Sequence, residues 1–158
     1  MKIRILCIGR IKEKFMRDAM AEYAKRLQAY CRFEVIEFKD EKITQNMSNA
    51  DVQAAVSREG ERLLSKMSDG FNITMEIDGS SLTSPAFAGL IQDKMNGGCS
   101  CINFIIGGSN GLSEAVRRAG DYKLSFSEMT FPHQLFRVML TEQIYRAFKL
   151  NRGETYHK

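Results

Sequence analysis

The side chains best suited to chemistry lie at the end of the chain, in residues 125–158. Glu142 and Arg146 stand four apart on a predicted helix with the acid first, the order that favours an ion pair between them. A short polar tail, Tyr156–Lys158, follows that helix and contains a histidine. Histidine titrates near neutral pH, and a guanidinium can stabilise a developing anion. This part of the chain could therefore move a proton or hold an anion.

A glycine-rich turn, Gly107–Gly111, follows the continuous apolar run Ile102–Ile106. Its pattern, G-G-x-x-G, is neither the dinucleotide fingerprint nor a phosphate loop. Glycine at position 107 or 108 would let the backbone approach a ligand closely or take a positive φ. On spacing alone, a ligand-binding turn and an ordinary strand-to-helix turn remain equally open.

The segment Phe126–Phe131, with the sequence FSEMTF, is too apolar for plain solvent exposure. Such a loop can wrap a flat heteroaromatic ring and orient it through backbone N–H and C=O groups. The alternative is ordinary packing beneath the helix that follows. Both interpretations place the loop against something apolar.

Strands and helices alternate five times along the chain, which predicts one α/β domain over residues 1–158, with a mostly parallel sheet and helices on both faces. The predicted strands are 2–9, 32–38, 73–77, 102–106 and 122–125. The predicted helices are 14–29, 50–67, 84–96, 113–119 and 134–149. The buried stripe of the first helix is expected to comprise Phe15, Ala19, Met20, Tyr23, Ala24 and Leu27. The last helix is apolar on nearly every side, so it must be covered both by its own core and by something else.

The composition is that of a globular protein, with 44% hydrophobic and 27% charged residues. No apolar run approaches the ~20 residues of a membrane span, and the N-terminus is typical of a first strand rather than a signal peptide. We therefore expect a cytoplasmic protein without membrane contact. Residues 1–32 carry nine basic and three acidic side chains, whereas residues 33–113 carry six and eleven. This asymmetry indicates either a polyanionic partner or solvated helix surfaces.

The four cysteines do not form the C-x-x-C pairs of a zinc site, and the chain has only two histidines. We therefore predict no metal and expect buried free thiols. The cysteines are Cys7, Cys31, Cys99 and Cys101.

Four segments together resemble one family, the SPOUT-class ribosomal RNA large-subunit methyltransferase H family. They are IKEKF at 11–15, IIGGSNGL at 105–112, LSFSEMTFPHQLFRVMLTEQIYRAFK at 124–149 and YHK at 156–158. The resemblance covers the whole chain and is most specific at the C-terminus. Two positions depart from it, because Ser109 and Thr155 stand where many relatives have proline. We expect Thr155 to loosen the tail and Ser109 to leave the glycine turn intact.

The resemblance implies S-adenosylmethionine as methyl donor, a homodimer and a C-terminal trefoil knot. It also implies a substrate, a pseudouridine in a stem-loop of 23S rRNA that is methylated at N3 within the assembled ribosome. By motif position, the cofactor contacts would be Met75, Gly107, Phe126, Ser127, Glu128, Met129, Thr130 and Phe131.

Methylation of an imide nitrogen requires loss of its proton, so the site needs a base or a cation that stabilises the anion. The candidates are Glu142, Arg146, Tyr156 and His157. We expect the last helix to pack at the dimer interface, with Arg146 facing the substrate as anion stabiliser or phosphate clamp and Glu142 orienting it. His157 would position the substrate or remove its proton, with the tail reaching the cofactor of the second copy. A terminal histidine can equally have no role, and His133 is expected to be structural.

Two other functions remain open at this point. One is a methyltransferase of the same fold class that acts on tRNA or on a ribose hydroxyl. The other is a ribosome-associated binding module without catalysis, which would have no affinity for S-adenosylmethionine.

Overall fold

Strands and helices alternate through residues 1–67 and 69–156, which are the residues described by the computed structural model. The strands are β1 (Lys2–Ile8), β2 (Arg32–Phe38), β3 (Phe71–Ser81), β4 (Cys101–Ile106) and β5 (Tyr122–Ser125). The helices are α1 (Lys14–Leu27), α2 (Asn49–Met67), α3 (Ser84–Asn96), α4 (Glu114–Ala119) and α5 (His133–Asn151). None of the helices described is both long and apolar enough to cross a membrane.

The strands form one five-stranded sheet in the order β2-β1-β4-β3-β5, and each neighbouring pair is parallel. The α/β prediction is therefore confirmed. Side chains of β1 alternate between the two faces, since Ile3, Ile5 and Cys7 join one buried cluster and Leu6 and Ile8 the other. Helices α1, α3 and α5 cover the first cluster, and α2 and α4 cover the second. This arrangement leaves β1 and β4 almost fully buried at the centre.

Strand β3 is longer than the sequence predicts, because Asp78-Gly79 does not end it. Its pairing with β5 shifts register between Met75 and Ser80, so the strand bulges and then continues. A Cβ atom at Gly79 would lie 2.8 Å from the backbone carbon of Leu124, which explains why only glycine fits there. The glycine marks a close approach within the sheet, whereas the sequence predicted that the strand ends at residue 77.

Phe15 does not belong to the buried stripe of α1, contrary to the sequence prediction. Its side chain is 66% exposed, whereas Met20 and Leu27 of the same helix are buried. Phe15 lies in the first turn, at the end of α1 where the chain arrives from β1. None of the other described elements covers it there, so helical periodicity alone predicts the wrong burial.

Three of the four cysteines, Cys7, Cys31 and Cys101, are buried and all four are free thiols. Burial raises the pKa of Cys7 to about 11 and that of Cys31 to about 12. These two thiols are therefore protonated and unreactive at neutral pH, in agreement with a packing role.

A buried arginine fixes the position of α5. Arg137 is 1% exposed, and its guanidinium donates hydrogen bonds to the carbonyl oxygens of Ile8 and Gly9 at the end of β1. It also lies 3.1 Å from the carboxylate of Glu37 on β2. Helix α5 thus begins beside the central strand β1, although β5, which precedes it, is an edge strand. Residues 126–132 must therefore cross the carboxyl ends of β3 and β4.

We predict that Arg137→Ala lowers the free energy of unfolding by about 3 kcal/mol, because it leaves two carbonyl groups without their donor and the Glu37 carboxylate without its counter-charge. Arg118→Ala is the matched control, since that arginine pairs with Glu114 on the surface and its side chain is 79% exposed. Urea unfolding of the two variants measures the difference. Equal losses in both would show that Arg137 is not the anchor of α5.

Candidate functional site

Residues 126–132, which we call the crossing segment, form one side of a pocket of about 300 Å³ at the carboxyl edge of the sheet. The pocket is open to solvent. Its walls come from the bulged part of β3 and from the residues at and after the ends of β4 and β5, the edge at which parallel sheets bind ligands. The lining consists of residues 75–78, 106–109, 111–112, 117, 124–127, 129–131, 133 and 136. Segments far apart in sequence thus meet at one cavity.

Seven of the eight residues predicted to contact a cofactor line this pocket. They are Met75, Gly107, Phe126, Ser127, Met129, Thr130 and Phe131. The eighth, Glu128, is exposed and is not part of the lining. Ile77 and Met129 stand at the pocket with 57% and 72% of their surface exposed, so apolar surface remains open.

The glycine turn is shaped by the protein's own atoms. A Cβ atom at Gly107 would lie 2.5 Å from the carbonyl oxygen of Gly111, and one at Gly108 would lie 2.8 Å from the carboxylate of Glu59. Of the two roles predicted for Gly107 and Gly108, a positive φ is seen at neither; it occurs at Gly111, where φ is +79°. The turn is therefore both a tight strand-to-helix connection and a wall of the pocket.

The loop at Phe126–Phe131 is held by contacts within itself and with α5. The Ser125 hydroxyl donates to the carbonyl of Ser127, and the Ser127 hydroxyl accepts from the backbone N–H of Met129. The rings of Phe126 and Phe136 lie 5.0 Å apart between centroids. Phe126 thus packs against the last helix, as the packing interpretation predicts, and it also lines the pocket. Binding of a flat ring by this loop stays a prediction.

One wall of the pocket carries charges that the sequence analysis missed. The Arg117 guanidinium lies 2.7 Å from the carboxylates of both Glu76 and Asp78. The hydrogen bond from Arg117 lowers the pKa of Asp78. The Glu76 carboxylate is only 4% exposed, and it also accepts a hydrogen bond from the Thr74 hydroxyl. No spacing signal connects positions 76 and 117, so only the fold reveals this group.

His133 also lines the pocket, at the first turn of α5. Desolvation and the nearby Arg137 cation lower its pKa, so the imidazole is neutral at pH 7. A neutral imidazole can accept or donate a hydrogen bond at the pocket wall without adding charge.

Three of the predicted catalytic residues form a second group, which we call the C-terminal cluster: Glu142, Arg146 and Tyr156. The guanidinium of Arg146 lies 2.6 Å from the Glu142 carboxylate, and the Tyr156 hydroxyl donates to the same carboxylate at 3.2 Å. Arg146 also stacks over the Tyr156 ring, with its Cζ atom 4.8 Å from the centroid. Burial and the neighbouring Glu142 raise the pKa of Tyr156 to about 12, so the phenol is a proton donor at neutral pH. His157, the fourth candidate, lies outside the described residues.

The C-terminal cluster and the pocket do not meet within one chain. Glu142 lines a separate groove between α1, α3 and α5, together with Tyr23, Leu82, Ser84, Phe87, Leu124, Phe126, Val138, Met139 and Gln143. Phe126 and Leu124 border both cavities. The cluster is thus next to the pocket along the surface, but none of its residues lines it.

Within residues 1–67 and 69–156, no group of three or more His, Cys, Asp or Glu side chains is arranged to hold a metal ion.

We predict that Gly107→Ala destabilises the protein and distorts the pocket, since the new methyl group would overlap backbone atoms of the turn. Gly89→Ala is the matched control, because a Cβ atom there meets nothing within 4 Å and alanine favours the helix by about 1 kcal/mol. Thermal unfolding compares the two variants. An unchanged midpoint for Gly107→Ala would contradict the geometry of the turn.

Comparison with known proteins identifies close relatives over the full length. Two proteins named "Ribosomal RNA large subunit methyltransferase H" align over 159 residues and over the whole of both chains. The protein from Clostridium acetobutylicum is 48% identical to this chain, and that from Clostridium beijerinckii is 50% identical. Among solved structures, tRNA (m1G37) methyltransferase from Aquifex aeolicus is similar with a TM-score of 0.55 and 12% identity, over 92% of this chain and 69% of that one. At this identity the likeness concerns the fold alone.

The family model described as "Predicted SPOUT methyltransferase" matches residues 1–157. Family membership implies the C-terminal trefoil knot that the sequence resemblance predicted. The crossing segment, the pocket at the sheet edge and the full-length match lead to one assignment: the chain belongs to the SPOUT methyltransferase family.

Proposed function

We propose that this protein transfers a methyl group from S-adenosylmethionine to N3 of a pseudouridine in a stem-loop of 23S rRNA, on the assembled ribosome. The pocket is the main support for this proposal. In a chain of this family, the glycine turn and Phe126–Phe131 line one cavity. Both relatives described above are named as methyltransferases of large-subunit rRNA, which supports the choice of substrate.

The pocket suits the donor in size and in charge. Its volume of about 300 Å³ is typical of a small-molecule site, and its apolar residues can hold a flat ring. S-adenosylmethionine carries a cationic sulfonium and a zwitterionic amino acid end. Glu76 and Asp78 would attract the positive groups, and Arg117 the carboxylate. The donor supplies the activated methyl group, and the pocket holds it at the sheet edge.

We also propose that the protein acts as a homodimer and that α5 lies at the dimer interface. From Phe136 to Asn151 every residue of α5 is buried or partly buried. Val138, Met139 and Gln143 are among the partly buried ones, and they line the groove. A two-fold contact through this face would cover the open apolar surface. It would also bring the C-terminal cluster of one copy towards the pocket of the other, since groove and pocket share Phe126.

In such a composite site, Arg146 would face the target base and stabilise its imide anion, while Glu142 holds the guanidinium in place. Tyr156 limits the freedom of Arg146 by stacking on it and remains protonated at neutral pH. It therefore serves as a hydrogen-bond donor rather than a base. His157 remains the candidate for proton removal or substrate positioning.

The substrate is tested by methyl transfer from labelled S-adenosylmethionine to three RNAs: intact ribosomes from a strain lacking the enzyme, free large subunits, and bulk tRNA. We expect label on intact ribosomes, at N3 of one pseudouridine of 23S rRNA. Label in tRNA or on a ribose hydroxyl would favour a different methyltransferase of this family. Calorimetry that finds no affinity for S-adenosylmethionine would favour a binding module without catalysis.

The composite site is tested by subunit mixing. Arg146→Ala should lower turnover by about 100-fold through lost anion stabilisation, with donor affinity unchanged. Thr130→Trp should block the pocket. A mixed dimer, which carries one change on each subunit, contains one intact composite site and one damaged site. About half of the dimers in an equal mixture are mixed, so the mixture should regain about a quarter of the wild-type activity.

If pocket and cluster instead acted within one chain, each mixed dimer would have two damaged sites and no activity would return. Arg118→Ala, an exposed arginine on α4, is the control for simple loss of charge and should leave turnover unchanged.

A further inference from the structure

Phe15 is the one exposed aromatic side chain among the described residues. Its 66% exposure contrasts with the other phenylalanines and tyrosines described, which are buried or partly buried. An exposed ring in the first turn of a helix contributes nothing to the core. It presents a flat apolar face to whatever approaches that end of the molecule.

Basic residues flank Phe15 along the chain. The segment Arg10–Arg17 contains four basic side chains and one acidic side chain, Glu13. No described residue pairs with the side chains of Arg10 or Lys12, and both are exposed. Lys14 contacts Asp18 at 2.6 Å, but both side chains are largely in solvent and the pair is weak. The segment therefore carries positive charge that the chain itself does not neutralise.

The segment is held firmly next to the pocket. The Gln134 side chain on α5 accepts a hydrogen bond from the backbone N–H of Lys12 at 2.7 Å, and its neighbour His133 lines the pocket. The backbone N–H of Ile11 donates to Glu37, the same carboxylate that pairs with Arg137. The backbone just before Phe15 is thus tied to α5, the helix whose first turns line one side of the pocket.

An aromatic face beside unpaired cations fits single-stranded RNA better than the alternatives. Bases in an RNA loop are splayed out and stack on such rings, while their phosphates require positive charge. A duplex hides its base faces and would leave Phe15 without a partner. A two-fold contact centred on this segment would oppose its cations to those of a second copy.

We propose that Phe15 is a stacking platform for an unpaired base near the target nucleotide, with Arg10 and Lys12 contacting the adjacent phosphates. This inference rests on the proposed function and adds the surface that holds the RNA loop. It does not assign Phe15 a catalytic role.

The test compares Phe15→Leu, which keeps an apolar side chain but removes the ring, with Phe15→Trp, which keeps a ring. The probe is intact ribosomes from a strain lacking the enzyme, with co-sedimentation as the binding assay and methyl transfer as a separate readout. Phe15→Leu should weaken ribosome binding and raise KM about tenfold, with kcat and donor affinity unchanged, because one stacked base is lost. Phe15→Trp should bind as the wild type does.

Lys12→Gln should reduce the salt dependence of ribosome binding, whereas Lys42→Gln, an exposed lysine on the loop after β2, should not. If Phe15→Leu binds ribosomes as tightly as the wild type, the stacking proposal is wrong. It is also wrong if Phe15→Leu no longer forms a dimer in sedimentation, because Phe15 would then belong to the interface between copies. Wild-type protein that binds ribosomes but transfers no methyl group would refute the proposed function alone. Absence of ribosome binding by the wild type would refute both.

Discussion

The guanidinium of Arg137 determines where the last helix begins, and the site depends on that position. Its hydrogen bonds to Ile8 and Gly9 place the start of α5 at the end of a central strand. The chain leaves the sheet at the edge strand β5, so the intervening residues must pass over the ends of β3 and β4. That passage forms the pocket. The cost of burying the cation is offset by Glu37 and the two carbonyl groups.

The same anchor places other parts of the site. Glu37 also accepts from the backbone of Ile11, and Gln134 holds the segment that precedes α1. Helices α1 and α5 therefore start side by side at the carboxyl edge. At the other end of α5, Glu142, Arg146 and Tyr156 hold one another but do not reach the pocket of their own chain. In the dimer proposed above, a second copy would supply this cluster, since the face of α5 that carries it also carries partly open apolar surface.

Much of the fold could be predicted from local pattern. The continuous apolar run Ile102–Ile106 predicts a strand, and every residue of β4 is buried. The helix predicted over 113–119 is α4, which begins at Glu114 with Ser113 as its N-cap. The pocket residues were predicted by motif resemblance, not by spacing, because a G-G-x-x-G turn alone has no specific ligand.

Other features depend on tertiary contacts that a sequence pattern does not contain. Arg137 and Arg146 lie on the same helix, but Arg137 is buried and Arg146 is partly exposed. No sequence pattern distinguishes the two. The pairing of Arg117 with Glu76 joins elements about 40 positions apart. Helical periodicity predicts that Phe15 is buried, because it indicates only which face of the helix a residue lies on. It does not indicate how far along the helix the covering elements extend, and Phe15 is exposed. The sequence predicts that β3 ends at residue 77, because Asp-Gly is equally typical of a strand end and of a bulge that lets the strand continue.

The most direct test of this account is a crystal structure of the protein with S-adenosylmethionine bound. We expect a dimer in which the donor lies between the glycine turn and Phe126–Phe131, with its sulfonium side facing the C-terminal cluster of the second copy. A donor bound elsewhere, or a cluster that closes over the pocket of its own chain, would contradict it.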